Sequence, residues 1–397
     1  MRLIVCYILF IFAVILLIQC EKEEPQIIFK DNNFLNTLIQ CGIDTNGDSI
    51  ISSKEAESVD FLDVSYRDIV YMDGIELFVN LKDLDCSNNK ITSLDLSDNI
   101  KLEYLDCCEN KISNLEISKN TDLKGLDCSE NRLRILDISN NVMLTELDCD
   151  ENNLVSLNLS NCTALQELHC YNNNLTSLDI SDLVRIKYLN CFVNELSELN
   201  TTKNTALEYL NCANNPLTSL DVTDNSALTY LFCGSSLNSL DVSNNTMLET
   251  LICGGDNLTT LDVSNNPYLK KLYCAFSSLT ELDLSKNTEL LELNCEYSPL
   301  NNIDVSNNVK LKSLSCRSNG LETLDVKNNI SLKSLVCSSN QLMKLDISNN
   351  NELILLWIED MPSLGEVCIW ILPFPPEDFQ LKSSGSPNVY FTTDCGL

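Results

Sequence analysis

Two groups of residues in this chain have the types and spacing that chemistry requires. The first is Asp44, Asn46, Asp48, Ile50, Ser52 and Glu55. Side-chain oxygens at positions 1, 3, 5 and 12 of a twelve-residue loop, with a carbonyl at 7 and a hydroxyl or water at 9, form the cage that calcium takes. Ser49 stands where such loops want glycine, which strains the turn. The same residues also fit a structural reading, because Ser52 and Glu55 have the spacing of a helix capping box. The second group is cysteine. The chain has 20, and thirteen recur in step at Cys86, Cys107, Cys128, Cys149, Cys170, Cys191, Cys212, Cys233, Cys253, Cys274, Cys295, Cys316 and Cys337. A run of thiols invites redox or metal chemistry. Neighbours on parallel strands, however, hold their Cβ atoms near strand spacing, wider than the ~3.8 Å of a disulfide. A straight column also cannot converge on zinc. These cysteines therefore read as buried packing, each a small hydrophobe. Cys368 and Cys395 lie outside the column and could pair in an oxidising compartment.

Other catalytic chemistry finds little support. His169 is the only histidine, and with no cysteine or serine motif beside it, it reads as a surface residue. No nucleophile elbow, phosphate loop, paired-histidine metal motif or dinucleotide fingerprint occurs in a suitable context. The carboxylates are spread along the chain as a solvated face rather than as an acid/base pair. With 57 acidic against 26 basic residues and a net charge of −31, the chain repels phosphate backbones and is not expected to bind nucleic acid. Binding, not catalysis, is the expectation.

The elements that position these residues follow from periodicity. Leu81-Lys82-Asp83-Leu84-Asp85-Cys86 recurs every 21 residues, except for one interval of 20 between Cys233 and Cys253. Each unit reads LxxLxCxxNxLxxLDVSxNxx, a leucine-rich repeat with cysteine in one leucine column. Alternation in Leu84-Asp85-Cys86 sends Leu84 and Cys86 inward and Asp85 outward, as a strand requires. Stacked turns then make a parallel sheet, a rod on the order of 60 Å over thirteen turns. The LDVSxN half has its own period of two, so the opposite side is expected to be extended rather than helical. Asn89, Asn110, Asn131, Asn152, Asn173, Asn194 and Asn215 are placed to form an internal ladder that satisfies buried backbone groups.

That register defines a solvent face. Its outward column starts acidic, at Asp85, Asp106, Asp127 and Asp148, and turns apolar at Phe232, Ile252 and Tyr273. Tyr188, Phe192, Tyr209 and Tyr230 flank it on the same face. Grouped aromatics on a solvent face mark an interaction surface, although aromatic residues also suit any pleated sheet. In the same third of the rod the asparagine column lapses to Asp256, Ser277 and Ser298, and Phe276 and Tyr297 appear beside it. The predicted ligand site is Tyr188, Phe192, Tyr209, Tyr230, Phe232, Ile252 and Tyr273.

A solenoid needs caps. Asp31 is placed to N-cap a short helix through Phe34, Leu35 and Leu38 that ends near Gly42. The N-terminus reads as an export signal: Arg2, an apolar run too short to span a membrane, then Leu17-Ile18-Gln19-Cys20. The expected organisation is a signal peptide over 1–19, an acidic tether over 20–30, an EF-hand-like helical cap over 31–58, a first turn without cysteine over 59–80, cysteine-ladder repeats over 81–360, and an irregular β cap over 361–397.

Leu17 to Cys20 resembles a bacterial lipobox, with Gln19 departing from the usual small residue, and the acidic residues after Cys20 resemble the surface-export signal of Bacteroidetes-type lipoproteins. That resemblance implies acylation of Cys20, membrane attachment through lipid, and the outer membrane and cell surface as the location. From about Phe34 to Ile358, the 21-residue repeat with cysteine in the strand column resembles the cysteine-ladder internalins. The resemblance implies a leucine-rich-repeat solenoid with a small helical N-terminal cap, and a surface protein that binds host receptors through its sheet. Caps of that family resemble EF-hands and generally lack the metal; here the acidic calcium ligands are present. The expected function is an adhesin-like lipoprotein binding a protein or glycoprotein. The alternatives are an accessory glycan-binding lipoprotein in polysaccharide uptake, or a surface spacer.

Overall fold

A repeat of this length, with leucine at alternate strand positions, closes one turn of coil per repeat. The computed structural model describes residues 29–234 and 236–395, and from the strand Phe61–Asp63 onward the chain does this. Cys20, the export signal and most of the tether lie outside the described residues. Sixteen parallel strands stack into one sheet, from Phe61–Asp63 and Asp83–Asp85 to Leu355–Trp357 and Gln380–Lys382. Pairing is residue-for-residue, with Leu84 opposite Leu105 and Leu105 opposite Leu126. From Phe61–Asp63 to Leu355–Trp357 the central leucine of each strand is buried while its neighbours mostly keep some exposure, as the two-residue alternation demands. Leu381 of the last strand is half-buried. Leu84, Cys86, Ile91, Leu94 and Leu96 are each at most 5% exposed. Every turn repeats this burial, at roughly 1.5–3 kcal/mol for each large apolar side chain. The side opposite the sheet is not helical. It holds short bridges, such as Leu94–Asp95 beside Leu115–Glu116, separated by consecutive tight turns.

Two asparagine columns hold the turns to one another. The first is the expected one. Asn110 donates Nδ2 to the carbonyls of Cys86, Cys107 and Cys108, and its Oδ1 accepts from the backbone N–H of Ile91 at 2.9 Å. One amide thus satisfies backbone groups on two turns that no strand partner reaches. The second column escaped the sequence reading. Asn99, Asn120, Asn141, Asn204, Asn225, Asn245, Asn266, Asn287, Asn308, Asn329 and Asn350 are all fully buried. In Asn266, Nδ2 donates to the carbonyls of Val242 and Asn245 at 3.0 and 2.9 Å. Cys162 and Leu183 interrupt this column, and both are buried too.

The N-terminal cap is built on one carboxylate. Helix α1, Asn32–Gln40, is N-capped by Asp31, whose Oδ1 accepts from Asn33 and Phe34 at 2.7 and 3.3 Å. Its Oδ2 accepts from Val70 and Tyr71 of the first coil turn at 2.6 and 3.1 Å. Burial pushes the Asp31 carboxyl up, but the four N–H donors outweigh it and leave it below the usual range. Phe34 and Leu38 are fully buried, closing the open end of the core. Helix α2, Ser53–Ala56, starts at Ser52 with a complete capping box to Glu55.

At the other end, the segment from 361 abandons the repeat in sequence yet keeps the coil in backbone. Leu381 pairs with Leu356, 25 residues on rather than 21. Glu366–Cys368 and Tyr390–Thr392 join Lys344–Asp346 in a separate three-stranded sheet. Phe374 packs edge-on against Trp370 and Phe379, with centroids 5.6 and 4.9 Å away, and this cluster covers the last turn. Cys368 and Cys395 form a disulfide with Cα atoms 5.4 Å apart, within the spacing such bonds accept.

Candidate functional site: an aromatic stack on the repeat sheet

The outer face is organised by strand register. Tyr188, Tyr209 and Tyr230 sit at the same position of three successive strands. Their rings stack almost flat, with centroids 4.0 and 4.3 Å apart and interplanar angles of 6° and 8°. Strand spacing of ~4.8 Å is close to ring-stacking distance, so identical columns of tyrosine pack onto one another. The stack extends one residue further than the sequence suggested. His169, read there as a stray surface histidine, lies against Tyr188 at 4.7 Å and 24°.

Two residues along each strand, Phe232, Ile252 and Tyr273 pair in register. Phe192 approaches Phe232 at 6.1 Å. The seven predicted contact residues therefore converge on one patch and all are half-buried rather than fully exposed. Burial, with neighbouring tyrosine next, pushes the hydroxyls of Tyr209 and Tyr230 up to about 12. They stay neutral donors at any physiological pH. The Tyr273 hydroxyl bonds to Glu292, which also pairs with Lys271 at 2.9 Å. Neither Glu292 nor Lys271 was singled out from sequence, because nothing there shows which charged neighbour a tyrosine reaches.

The missing residue between Cys233 and Cys253 has a local consequence. The strand Tyr230–Gly234 lengthens, and its register to Thr250–Cys253 shifts after Phe232. In the lapsed asparagine column, Ser277 and Ser298 share a buried hydrogen bond at 2.9 Å, while Asp256 turns to solvent. Just outside, Phe276 and Tyr297 stack at 4.7 Å with Arg317 above the tyrosine. Both aromatics hold left-handed backbone, at φ 55° and 51°, a conformation costly for bulky residues.

The cysteine column is as the periodicity required. All thirteen are free and buried, and several thiols donate to the next turn's carbonyl, as Cys149 does to His169 at 3.4 Å. The folded chain over most of its length, with this column inside, superimposes on the functional domain of InlJ from Listeria monocytogenes, which includes a cysteine ladder. Identity is 34%, the match covers 86% of this chain and 75% of that one, and the TM-score is 0.80. The chain belongs to the cysteine-ladder leucine-rich-repeat family. A leucine-rich-repeat protein of Leptospira interrogans shares the fold at 24% identity and TM-score 0.67, over 86% of this chain and 87% of that one. The internalin InlF of Listeria monocytogenes shares it at 21% and 0.60, over 90% and 95%. No protein-family model matches the chain, and no curated protein sequence does.

In this cysteine-ladder protein the cap loop takes the structural arrangement. Glu55 accepts from the backbone and hydroxyl of Ser52 and of Thr45, at 2.8–3.0 Å. These bonds hold its carboxyl at about 2. Asp44 accepts from Gly47 and Ser49, and Asp48 from Ile50. Ser49 has φ 64°, the left-handed conformation that glycine would take more easily. The donor set suits calcium, but Glu55 would have to release Ser52 and Thr45 to join Asp44 and Asp48. Among the described residues no helix is long and apolar enough to cross a membrane.

Proposed function

We propose that this chain is a cell-surface scaffold that binds a protein or glycoprotein through the patch formed by Tyr188, Phe192, Tyr209, Tyr230, Phe232, Ile252 and Tyr273. The observation that carries the reading is the tyrosine stack. Three flat rings, held parallel on the solvent side of a rigid sheet, present a large amphipathic surface with little conformational entropy left to lose. The Listeria monocytogenes relative shares the ladder and the sheet, which supports a binding scaffold over an enzyme. Acylation of Cys20 and attachment to the outer membrane remain part of the proposal, supported by the Leu17-to-Cys20 motif alone.

The test is a soluble form of the chain probed against arrays of extracellular proteins and of glycans. Replacing Tyr209, Tyr230 and Phe232 together by alanine should weaken binding more than tenfold, because interface aromatics that act as hot spots cost upwards of about 2 kcal/mol. The leucine column beneath is untouched, so the thermal midpoint should move little. Unchanged binding by the folded triple variant would place the site elsewhere. A second reading, a glycan ledge, is favoured by the exposed Phe276–Tyr297 pair with Arg317 above it. Array signal confined to glycans and lost on Phe276→Ala would select it.

Calcium binding by Asp44, Asn46, Asp48, Ile50, Ser52 and Glu55 is proposed as a weak site, because the capping box competes for Glu55. Millimolar calcium should raise the unfolding midpoint by mass action, and Asp48→Asn should remove the effect. A midpoint indifferent to calcium and to chelator rejects it.

A further inference from the structure

We propose that the acidic end of the outer face and the tyrosine stack beside it together seat one extended polypeptide segment bearing lysine and arginine, laid across the strands. This rests on the reading of the tyrosine patch as a binding surface and adds the chemistry of its occupant.

A shallow depression of about 320 Å³ runs across the strands that precede the tyrosine stack. Six carboxylates line it, those of Asp83, Asp106, Asp127, Glu146, Asp148 and Glu167, and no lysine or arginine does. Nine ion pairs form among the described residues, and none involves these six side chains. Further along the same face, Lys271 is paired with Glu292. Asp106, Asp127 and Asp148 occupy the same position on successive strands, so like charges stand at strand spacing, ~4.8 Å apart. Burial first, and the neighbouring aspartates after it, raise the carboxyls of Asp106 and Asp148 above the usual range. A partner that brings positive charge relieves this repulsion, and steers itself to the face from a distance.

Two features favour a polypeptide over a bare ion. The carboxylates form an open strip rather than a closed cage, so cations spaced along a chain fit them better than one ion does. Aromatic faces also bracket the strip. Tyr104 leans over Gly125 at the near end, so that a Cβ on Gly125 would lie 2.9 Å from its ring. His169 and the three stacked tyrosines stand at the far end. Aromatic faces attract guanidinium and ammonium groups, so strip and stack select the same side chains. The eight strands from Asp83–Asp85 to Tyr230–Gly234 span on the order of 34 Å, which about ten extended residues cross.

The test uses three fluorescein-labelled peptides of about twelve residues, alternating Lys-Tyr, Lys-Ser and Glu-Tyr, titrated against the folded chain by anisotropy. The Lys-Tyr peptide should bind tightest, Lys-Ser more weakly, and Glu-Tyr not at all. Asp106→Asn, Asp127→Asn and Asp148→Asn in one chain should weaken Lys-Tyr binding at least about tenfold, with the melting midpoint kept or raised because like charges are removed. Equal binding of Lys-Tyr and Glu-Tyr, or undiminished Lys-Tyr binding by the folded triple variant, overturns the inference. If the asparagine variant keeps an array partner that the Tyr209/Tyr230/Phe232 variant loses, the patch stands as a binding surface and only the cationic occupant falls.

Discussion

Asn266→Asp should destabilise the chain by about 3–5 kcal/mol at pH 7, while Asn265→Asp, one residue away, should cost less than about 0.5. Asn266 is fully buried and Asn265 is exposed. The Asn266 amide gives both of its protons to carbonyls, those of Val242 and Asn245, and its own Oδ1 has no partner. An aspartate there turns two donors into an acceptor facing acceptors and buries a charge. Protonation would restore one donor, so the folded-state pKa of the new carboxyl lies above its unfolded value of about 3.9. Such a group binds its proton more tightly when folded. The penalty from ionisation is therefore absent below the unfolded pKa and grows as pH rises towards the folded one. Denaturant melts at pH 4 and pH 7 should show the deficit shrinking to about 1–2 kcal/mol at the lower pH. A deficit equal at both pH values, or equal for the two asparagines, would show that the buried column does not carry this load. Spontaneous deamidation along the column would do the same damage, although burial restrains it.

Thiol reagent added to the native chain should leave the thirteen column cysteines unlabelled and modify Cys41, the exposed free cysteine of the cap. Burial pushes the thiols of Cys191, Cys233 and Cys337 up to about 12 from a usual value near 9. That shift alone lowers the thiolate fraction at pH 8 by on the order of a thousandfold. Steric exclusion lowers the rate further. Addition of denaturant should release all thirteen together, because each turn is held by its neighbours, and mass spectrometry would count them. Fast labelling of most of the column without denaturant would mean that the turns open independently and that the ladder is not a packed core. Cys368 and Cys395 should stay silent under both conditions until the disulfide is reduced.

Much of this was legible in the residues themselves. The 21-residue period located the strands, and the alternation of Leu84, Asp85 and Cys86 placed one face in the core and the other in solvent. Asp31 was recognisable as a helix cap from its place before an apolar run. Its second task, tying α1 to Val70 and Tyr71, was not, because a side chain's long-range partners leave no local trace. The second asparagine column was visible as the last asparagine of LDVSxN, yet a period of two in that segment suggested only an extended strand. Its burial depends on tight turns that fold the residue inward. The C-terminal segment was the hardest to read. Its prolines and unequal spacing hide a coil that backbone pairing to Leu356 and Asp346 preserves.

The sequence alone determined the coil, its strand register and the inward leucine and cysteine columns, because a 21-residue period with leucine at alternate strand positions buries leucine in one phase only. It also determined which aromatics share the outer face. Only the tertiary structure decided how those side chains meet. Stacking of Tyr188, Tyr209 and Tyr230 at ring contact, the recruitment of His169, and the crowding of Asp106, Asp127 and Asp148 into an unpaired acidic strip all arise between strands 21 residues apart. Those contacts are set by the spacing of parallel strands, a property of the assembled sheet that no single repeat contains.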